Sequence, residues 1–70
     1  MYNNLSYYRN LYGFTQEQLA WQCNVRRETI MRIENNQNIP SLKLALSIQY
    51  VLAVDINDLF QLSDDELKKI

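Results

Sequence analysis

The sequence predicts an all-α fold, a compact bundle of five short helices carrying a short C-terminal tail. Three observations lead there. Apolar residues recur at spacings of three and four along successive stretches, the period of a helix with one buried face. Most of these stretches are bracketed by residues that start or stop helices: Asn3 or Asn4, Thr15, Ser41 and Asp55 as N-caps, Gly13 and Asn36 as terminators. The 70 residues, 47% apolar and 21% charged, make one globular unit without repeats, low-complexity tracts or long linkers. Residues 1–62 are the expected domain and 63–70 the tail.

The same composition narrows the chemistry. Cys23 is the only cysteine, so no internal disulfide can form, and without histidine there is no ligand cluster for a zinc site. No nucleophile stands with a base and no glycine-rich loop is available to cradle phosphate, so neither an enzyme nor a metal or cofactor is expected. No apolar run approaches the roughly 18 residues that cross a bilayer, and Met1-Tyr2-Asn3-Asn4 has none of the regions of a signal peptide; the expected location is cytoplasmic, away from membranes. A net charge of −1 argues against indiscriminate nucleic-acid binding, which needs many cations against phosphates. The charge is nevertheless polarised: Arg26, Arg27 and Arg32 fall within one short stretch, while Asp55, Asp58, Asp64, Asp65 and Glu66 lie near the C-terminal end.

Taken in order, the first helix is expected from Leu5 to Tyr12, with Leu5, Tyr8, Arg9 and Tyr12 on one side. Gly13 ends it in the left-handed conformation that glycine takes without steric cost, and Phe14 enters the core. Thr15 and Gln18 form a Thr-x-x-Gln capping box that starts the second helix, whose buried side is Leu19, Ala20 and Cys23. Trp21 falls opposite that side; it either lies on a neighbouring segment or meets a partner or the DNA backbone. Cys23-Asn24-Val25 is a tight turn, with Asn24 tolerating left-handed geometry and Val25 plugging the angle between helices. A third helix, about Arg27 to Asn35, has Ile30 and Ile33 beneath and Arg27, Glu28, Met31 and Arg32 outside.

Pro40 and Ser41 start a fourth helix, Leu42 to Leu52, with a core stripe of Leu42, Ala45, Ile48 and Leu52. Leu44, Leu46, Tyr50 and Val51 make its other sides apolar too, more than one small core needs. Gln49, if buried, needs hydrogen-bond partners. Asp55 caps a fifth helix, Ile56 to Phe60. After a brief alternation at Phe60-Gln61-Leu62, Ser63 and Glu66 form a second capping box for a last turn ending at Lys68 and Lys69. Three placements are open for this tail: it dimerises, folds back towards Trp21, or frays.

A helix, a tight turn and a second helix that is apolar beneath and long and polar outside is the layout of a helix-turn-helix DNA reader. Gln16 stands at the exposed start of the first of these two helices, where side chain and backbone N–H reach a phosphate oxygen. The runs from Leu11 to Ala20 (LYGFTQEQLA), Asn24-Val25, Thr29 to Asn35 (TIMRIEN) and Ile39 to Leu42 (IPSL) make the match specific. The chain resembles the Cro and phage-repressor regulators, also called the xenobiotic-response-element family, in one register from about Leu5 to Phe60.

The resemblance implies a lambda-repressor-like DNA-binding domain. It implies that Arg9 pairs with Glu34 as a scaffold link, and that Arg26, Arg27, Glu28 and Arg32 face double-stranded DNA with Thr29 close behind. The loop residues Gln37 and Asn38 also fall at DNA-facing positions. Chemistry agrees: arginine donates two hydrogen bonds to guanine O6 and N7, and glutamate accepts from cytosine N4. Arg26, at the helix start, suits phosphate. The chain departs from the family pattern in three places. Arg26 replaces the usual Ser or Thr cap, worth about 1 kcal/mol; Asn36 replaces a glycine; and Gln37-Asn38 lacks the usual cation, which predicts a shallower salt dependence than in basic relatives.

The expected function is a homodimeric transcriptional repressor reading an inverted repeat, with half-site centres about 34 Å apart or a multiple of that. Leu44, Tyr50, Val51, Phe60 and Leu62 are the expected dimer contacts. The alternative is a protein-binding module on the same scaffold, an antitoxin or adaptor, that meets its partner through Trp21 or the acidic tail.

Overall fold

Three helices of the computed structural model, which describes residues 1–67, close in the same way. Helix α1 (Leu5–Leu11) is followed by Gly13 at φ +77°, α2 (Gln16–Gln22) by Asn24 at φ 57°, and α3 (Arg27–Glu34) by Asn36 at φ 59°. In each case the left-handed residue donates its N–H to the carbonyl three residues back, and the next residue donates to the carbonyl five back. Gly13 and Phe14 reach Asn10 and Arg9; Asn24 and Val25 reach Trp21 and Ala20; Asn36 and Gln37 reach Ile33 and Arg32. This closure satisfies the carbonyls that a helix end leaves free and turns the chain sharply, which is why one glycine and two asparagines stand there.

The starts are equally local. Thr15 Oγ1 accepts from the Gln18 N–H at 3.0 Å while Gln18 Oε1 accepts from the Thr15 N–H at 2.9 Å, completing the predicted box. Ser41 caps α4 (Leu42–Leu52) and Asp55 caps α5 (Ile56–Leu59), each through its side-chain oxygen. Gln49 finds its partner by reaching from α4 to accept the Ile56 N–H at 2.8 Å, a second cap on α5. Of the two asparagines expected to cap α1, Asn4 stands at the N-cap without a side-chain cap bond, while Asn3 before it accepts from the Leu5 N–H at 2.9 Å.

Leu5, Leu19, Ile30, Ile33, Ile48 and Leu59, drawn from all five of these helices, are the largest fully buried side chains. Removing each from water contributes about 1.5–3 kcal/mol. Helices α2 and α3 pack closely on one another, and α4 closes the core from the other side.

Several expectations are corrected. Leu42 is 73% exposed and Leu44 is buried, because the four-residue spacing of Leu44, Ile48 and Leu52 sets the inward face of α4 and leaves Leu42 on the opposite side. Leu44 is therefore a core residue and is unavailable as a dimer contact. Val51 and Phe60 are half-buried against the core; Tyr50 and Leu62 are exposed. Tyr12, expected on the inner side of α1, is 52% exposed because the helix ends at Leu11.

The chain also forms a two-stranded antiparallel ladder between β1 (Tyr2–Asn3) and β2 (Phe60–Gln61), pairing Tyr2 with Gln61 and Asn3 with Phe60. A sixth helix, α6 (Asp64–Leu67), follows with Ser63 and Glu66 in the predicted box. Glu66 also holds the Met1 α-amino group at 2.8 Å, so this part of the tail lies on the N-terminal strand and not beside Trp21. The predicted end of the turn at Lys68 and Lys69 lies outside the described residues.

Two measurements check this account. Ala53 ends α4 at φ 55°, a conformation that costs an L-residue about 1–2 kcal/mol and glycine little. Ala53→Gly is expected to stabilise the domain by about 0.5–1 kcal/mol after the greater unfolded-state freedom of glycine is subtracted; an unchanged or lowered melting temperature would contradict the strain. The hydrogen bond and ion pair from the Met1 amine, with the Ser63 N–H, lower the Glu66 carboxyl pKa from 4.5 to about 2. Because the folded value is depressed, the link is complete above pH 4.5 and is lost as pH falls through about 2. Carboxyl NMR should show a midpoint near 2 for Glu66, and an ordinary midpoint near 4.5 would remove the contact.

Candidate nucleic-acid interface

The centre of the surface is built by a buried ion pair. Arg9 Nε donates to Glu34 Oε2 at 2.6 Å and Nη2 to Glu34 Oε1 at 3.3 Å, linking α1 to α3 as the family resemblance implies. The pair is shielded, with the two side chains 11% and 6% exposed. Arg9 Nη1 also donates to the Phe14 carbonyl at 2.8 Å, fixing the turn that delivers α2. Gln16, the first residue of α2, donates from Nε2 to Glu34 Oε1 at 3.0 Å. One carboxylate thus holds the start of α2 and the end of α3 together.

The sequence shows Gln16 as a surface-type residue and gives no sign of its bond to Glu34. The local signal is the Thr15 cap, which fixes Gln16 as the first helical residue, but its meeting with Glu34 depends on tertiary packing. The amide keeps a second hydrogen for another acceptor.

Arg26, Arg27, Glu28 and Arg32 are all exposed on α3. Among the described residues no carboxylate comes within 4.0 Å of the three guanidinium groups, so their charge is left for a partner. Arg26 sits at the N-cap with extended backbone and makes no side-chain cap bond. Arg27 and Gln16 line one open cleft together with Arg9, Phe14 and Thr15. Thr29 is half-buried and lines a different cleft, of about 450 Å³, behind α3. Gln37 and Asn38 are exposed in the loop, and both backbone N–H groups turn back to the Arg32 carbonyl.

Of the sequence-predicted residues, Gln16 and Arg27 share one cleft, Thr29 and Asn38 line the other, behind α3, and Arg26, Glu28, Arg32 and Gln37 are exposed. Trp21 is 78% exposed and stands apart, flanking a groove with Tyr12. Cys23 is half-buried, and the desolvation raises its thiol pKa. Among the described residues no group of His, Cys, Asp and Glu is arranged to hold a metal ion.

Two helices joined by a Cys23-Asn24-Val25 turn, the second apolar beneath and unpaired cationic outside, define a helix-turn-helix DNA-binding domain. Comparison with known proteins agrees. Residues 5–59 match the helix-turn-helix family of the Cro/C1 type, and the chain belongs to that family. An HTH-type transcriptional regulator of Methanocaldococcus jannaschii is 48% identical over 66 residues, spanning 94% of this chain and 100% of that protein. One from Bacillus subtilis is 34% identical over 65 residues, covering 93% and 98%. Among solved structures, the restriction-modification controller protein C.AhdI of Aeromonas hydrophila matches with a TM-score of 0.75 at 28% identity, over 81% of this chain and 86% of that one. The family consists of DNA-binding transcriptional regulators rather than enzymes. Among the described residues no helix is long and apolar enough to cross a membrane.

The ion pair yields a direct test. Glu34→Ala strands a buried guanidinium and releases Gln16, a loss expected to cost about 3–5 kcal/mol. Chemical denaturation should show most of the stability of so small a domain gone, and a loss under about 1 kcal/mol would mean that water reaches the pair.

Proposed function

We propose that this chain is a sequence-specific double-stranded-DNA-binding regulator that acts as a homodimeric repressor on an inverted-repeat operator. The observation that carries the reading is the row of exposed, unpaired arginines on α3 beside Gln16. Arg27, Glu28 and Arg32 are the base readers: an arginine fork suits guanine and a glutamate suits cytosine, so each half-site contains G·C pairs. Arg26 and Gln16 hold phosphate, the second amide hydrogen of Gln16 serving the DNA while the first remains on Glu34. Gln37 and Asn38 add neutral contacts to the backbone, and Thr29 supports α3 from behind or touches a thymine methyl.

Three arginines on one subunit neutralise few phosphates, and affinity rises steeply with that number. Two subunits related by a twofold axis double the contacts and place two α3 helices about one helical turn of DNA apart, ~34 Å. Occluding a promoter requires only the binding surface already described, which makes repression the simplest output. A second reading keeps the scaffold but uses the exposed Trp21 as a protein contact; it is favoured only by that one side chain.

Mobility shifts at several salt concentrations test the division of roles. Arg27→Ala should cost about 1–3 kcal/mol and relax sequence preference, whereas Arg26→Ala should weaken all sequences alike and lower the salt slope by about 1. Gln16→Ala should weaken all sequences alike. Equal losses from Arg27→Ala on every duplex would sink the base-reading role, and a wild-type protein without any sequence preference would sink the regulator reading.

A further inference from the structure

Asn3 precedes the family-matched residues 5–59, yet it joins α1, α3 and β2. Its side-chain Oδ1 accepts from the Leu5 N–H, the first of α1, at 2.9 Å. Its Nδ2 donates to the Ile33 carbonyl in the last turn of α3 and, at 3.4 Å, to Oδ1 of Asn36. Both amide hydrogens and the amide oxygen are thereby used, and reversing the amide would set its oxygen against two other oxygens. The backbone beneath this side chain is fixed independently. Asn3 pairs with Phe60 in the ladder, and Asn4 donates its N–H to the Leu59 carbonyl at 2.8 Å and its Nδ2 to the Asp58 carbonyl at 3.0 Å. The amide therefore reaches α3 from a firm base.

We infer that Asn3 is a positioning residue for the reading helix: by gripping the closing turn of α3 it sets where Arg32 and the Gln37–Asn38 loop stand against DNA. The inference rests on the DNA-binding reading above and adds a residue to its machinery. The gripped turn is where α3 passes into that loop. Asn36 is left-handed at φ 59° and donates its N–H to the same Ile33 carbonyl at 3.1 Å, while the Gln37 and Asn38 N–H groups return to the Arg32 carbonyl. Carbonyls at a helix end have no partner within the helix, so an end left to itself frays. Asn3 supplies a partner from another element. The next residue, Glu34, is held by Arg9 and Gln16, so two successive residues of α3 are tied to different parts of the protein. Together the two ties resist both sliding and rolling of the helix. Glycine would take the left-handed position at lower backbone cost, but it offers no side-chain oxygen to Asn3. That gives a reason for Asn36 at the position where the resemblance leads to glycine.

Asn3→Asp and Asn3→Ser test this, because each keeps an oxygen for the Leu5 N–H and removes the donor to Ile33 and Asn36. Agreement between the two variants separates the lost donor from the added charge of aspartate. At a temperature where circular dichroism shows both fully folded, affinity for a selected duplex should fall about fivefold, the scale of one net hydrogen bond. The ratio of selected to random affinity should narrow with it. Lowered stability alone would move neither quantity in fully folded protein. Exchange of the Asn36 and Gln37 amide hydrogens should also quicken about fivefold, because the turn that protects them is loosened. Asn36→Gly carries the same test in a protein whose N-terminal strand is untouched: affinity should fall, by less than for Asn3→Ser because the Ile33 bond remains, and wild-type affinity would remove Asn36 from the grip. Wild-type affinity and selectivity in both Asn3 variants would overturn the positioning role, whatever the exchange rates. A wild-type protein without sequence preference would instead remove the DNA-reading premise, and exchange would still decide whether Asn3 holds the turn.

Discussion

The Glu34 carboxylate is the tie on which the proposed DNA-facing side depends. It takes Arg9 from α1 and Gln16 from α2, and it stands at the end of α3, so one side chain fixes three helices relative to each other. Buried pairs of this kind add little net stability over an apolar substitute, because desolvation offsets their attraction. What the pair supplies here is register. Apolar contacts among Leu5, Leu19, Ile30 and Ile33 are non-directional and would tolerate small slides of α3, whereas a two-point guanidinium–carboxylate contact would not. Base reading needs a helix placed to within a fraction of an ångström, and a core this small has few other means of enforcing it.

The second constraint is backbone closure. Left-handed residues at Gly13, Asn24 and Asn36 bring each helix to a stop in two residues, so α1, α2 and α3 follow one another almost without loops. That economy lets a sequence of 70 residues hold the full helix-turn-helix unit with a closing α4. Ala53 is the exception: the same geometry is occupied by a residue that has neither the freedom of glycine nor the local hydrogen bonding of asparagine, and the Gln49 bond to Ile56 in the following helix helps hold the junction.

Much of this was legible in the sequence because it is local. Thr15 with Gln18, Ser63 with Glu66, Ser41, Asp55 and Gly13 all act on atoms within a few residues, and each formed the predicted cap or stop. The Arg9–Glu34 pair was legible only through resemblance, since nothing in the chain between them, a separation of 25 positions, announces it. Spacing alone does not set the phase of α4 at Leu42 and Leu44, because leucines on both its inner and outer faces blur the period. The β1–β2 ladder was missed because two-residue strands from opposite ends of the chain carry no pattern of their own. Likewise the partners of Gln16 and Gln49 depend on tertiary proximity, which no spacing reveals.

The central claim is that α3, held by this network, reads base sequence as one half of a symmetric pair. Selecting bound duplexes from a random pool tests it most directly. The expected result is an enriched inverted repeat with G·C pairs in each half-site and centres about 34 Å apart or a multiple of that. Recovery of duplexes with no shared sequence, or of a single asymmetric site bound by one copy, would contradict it.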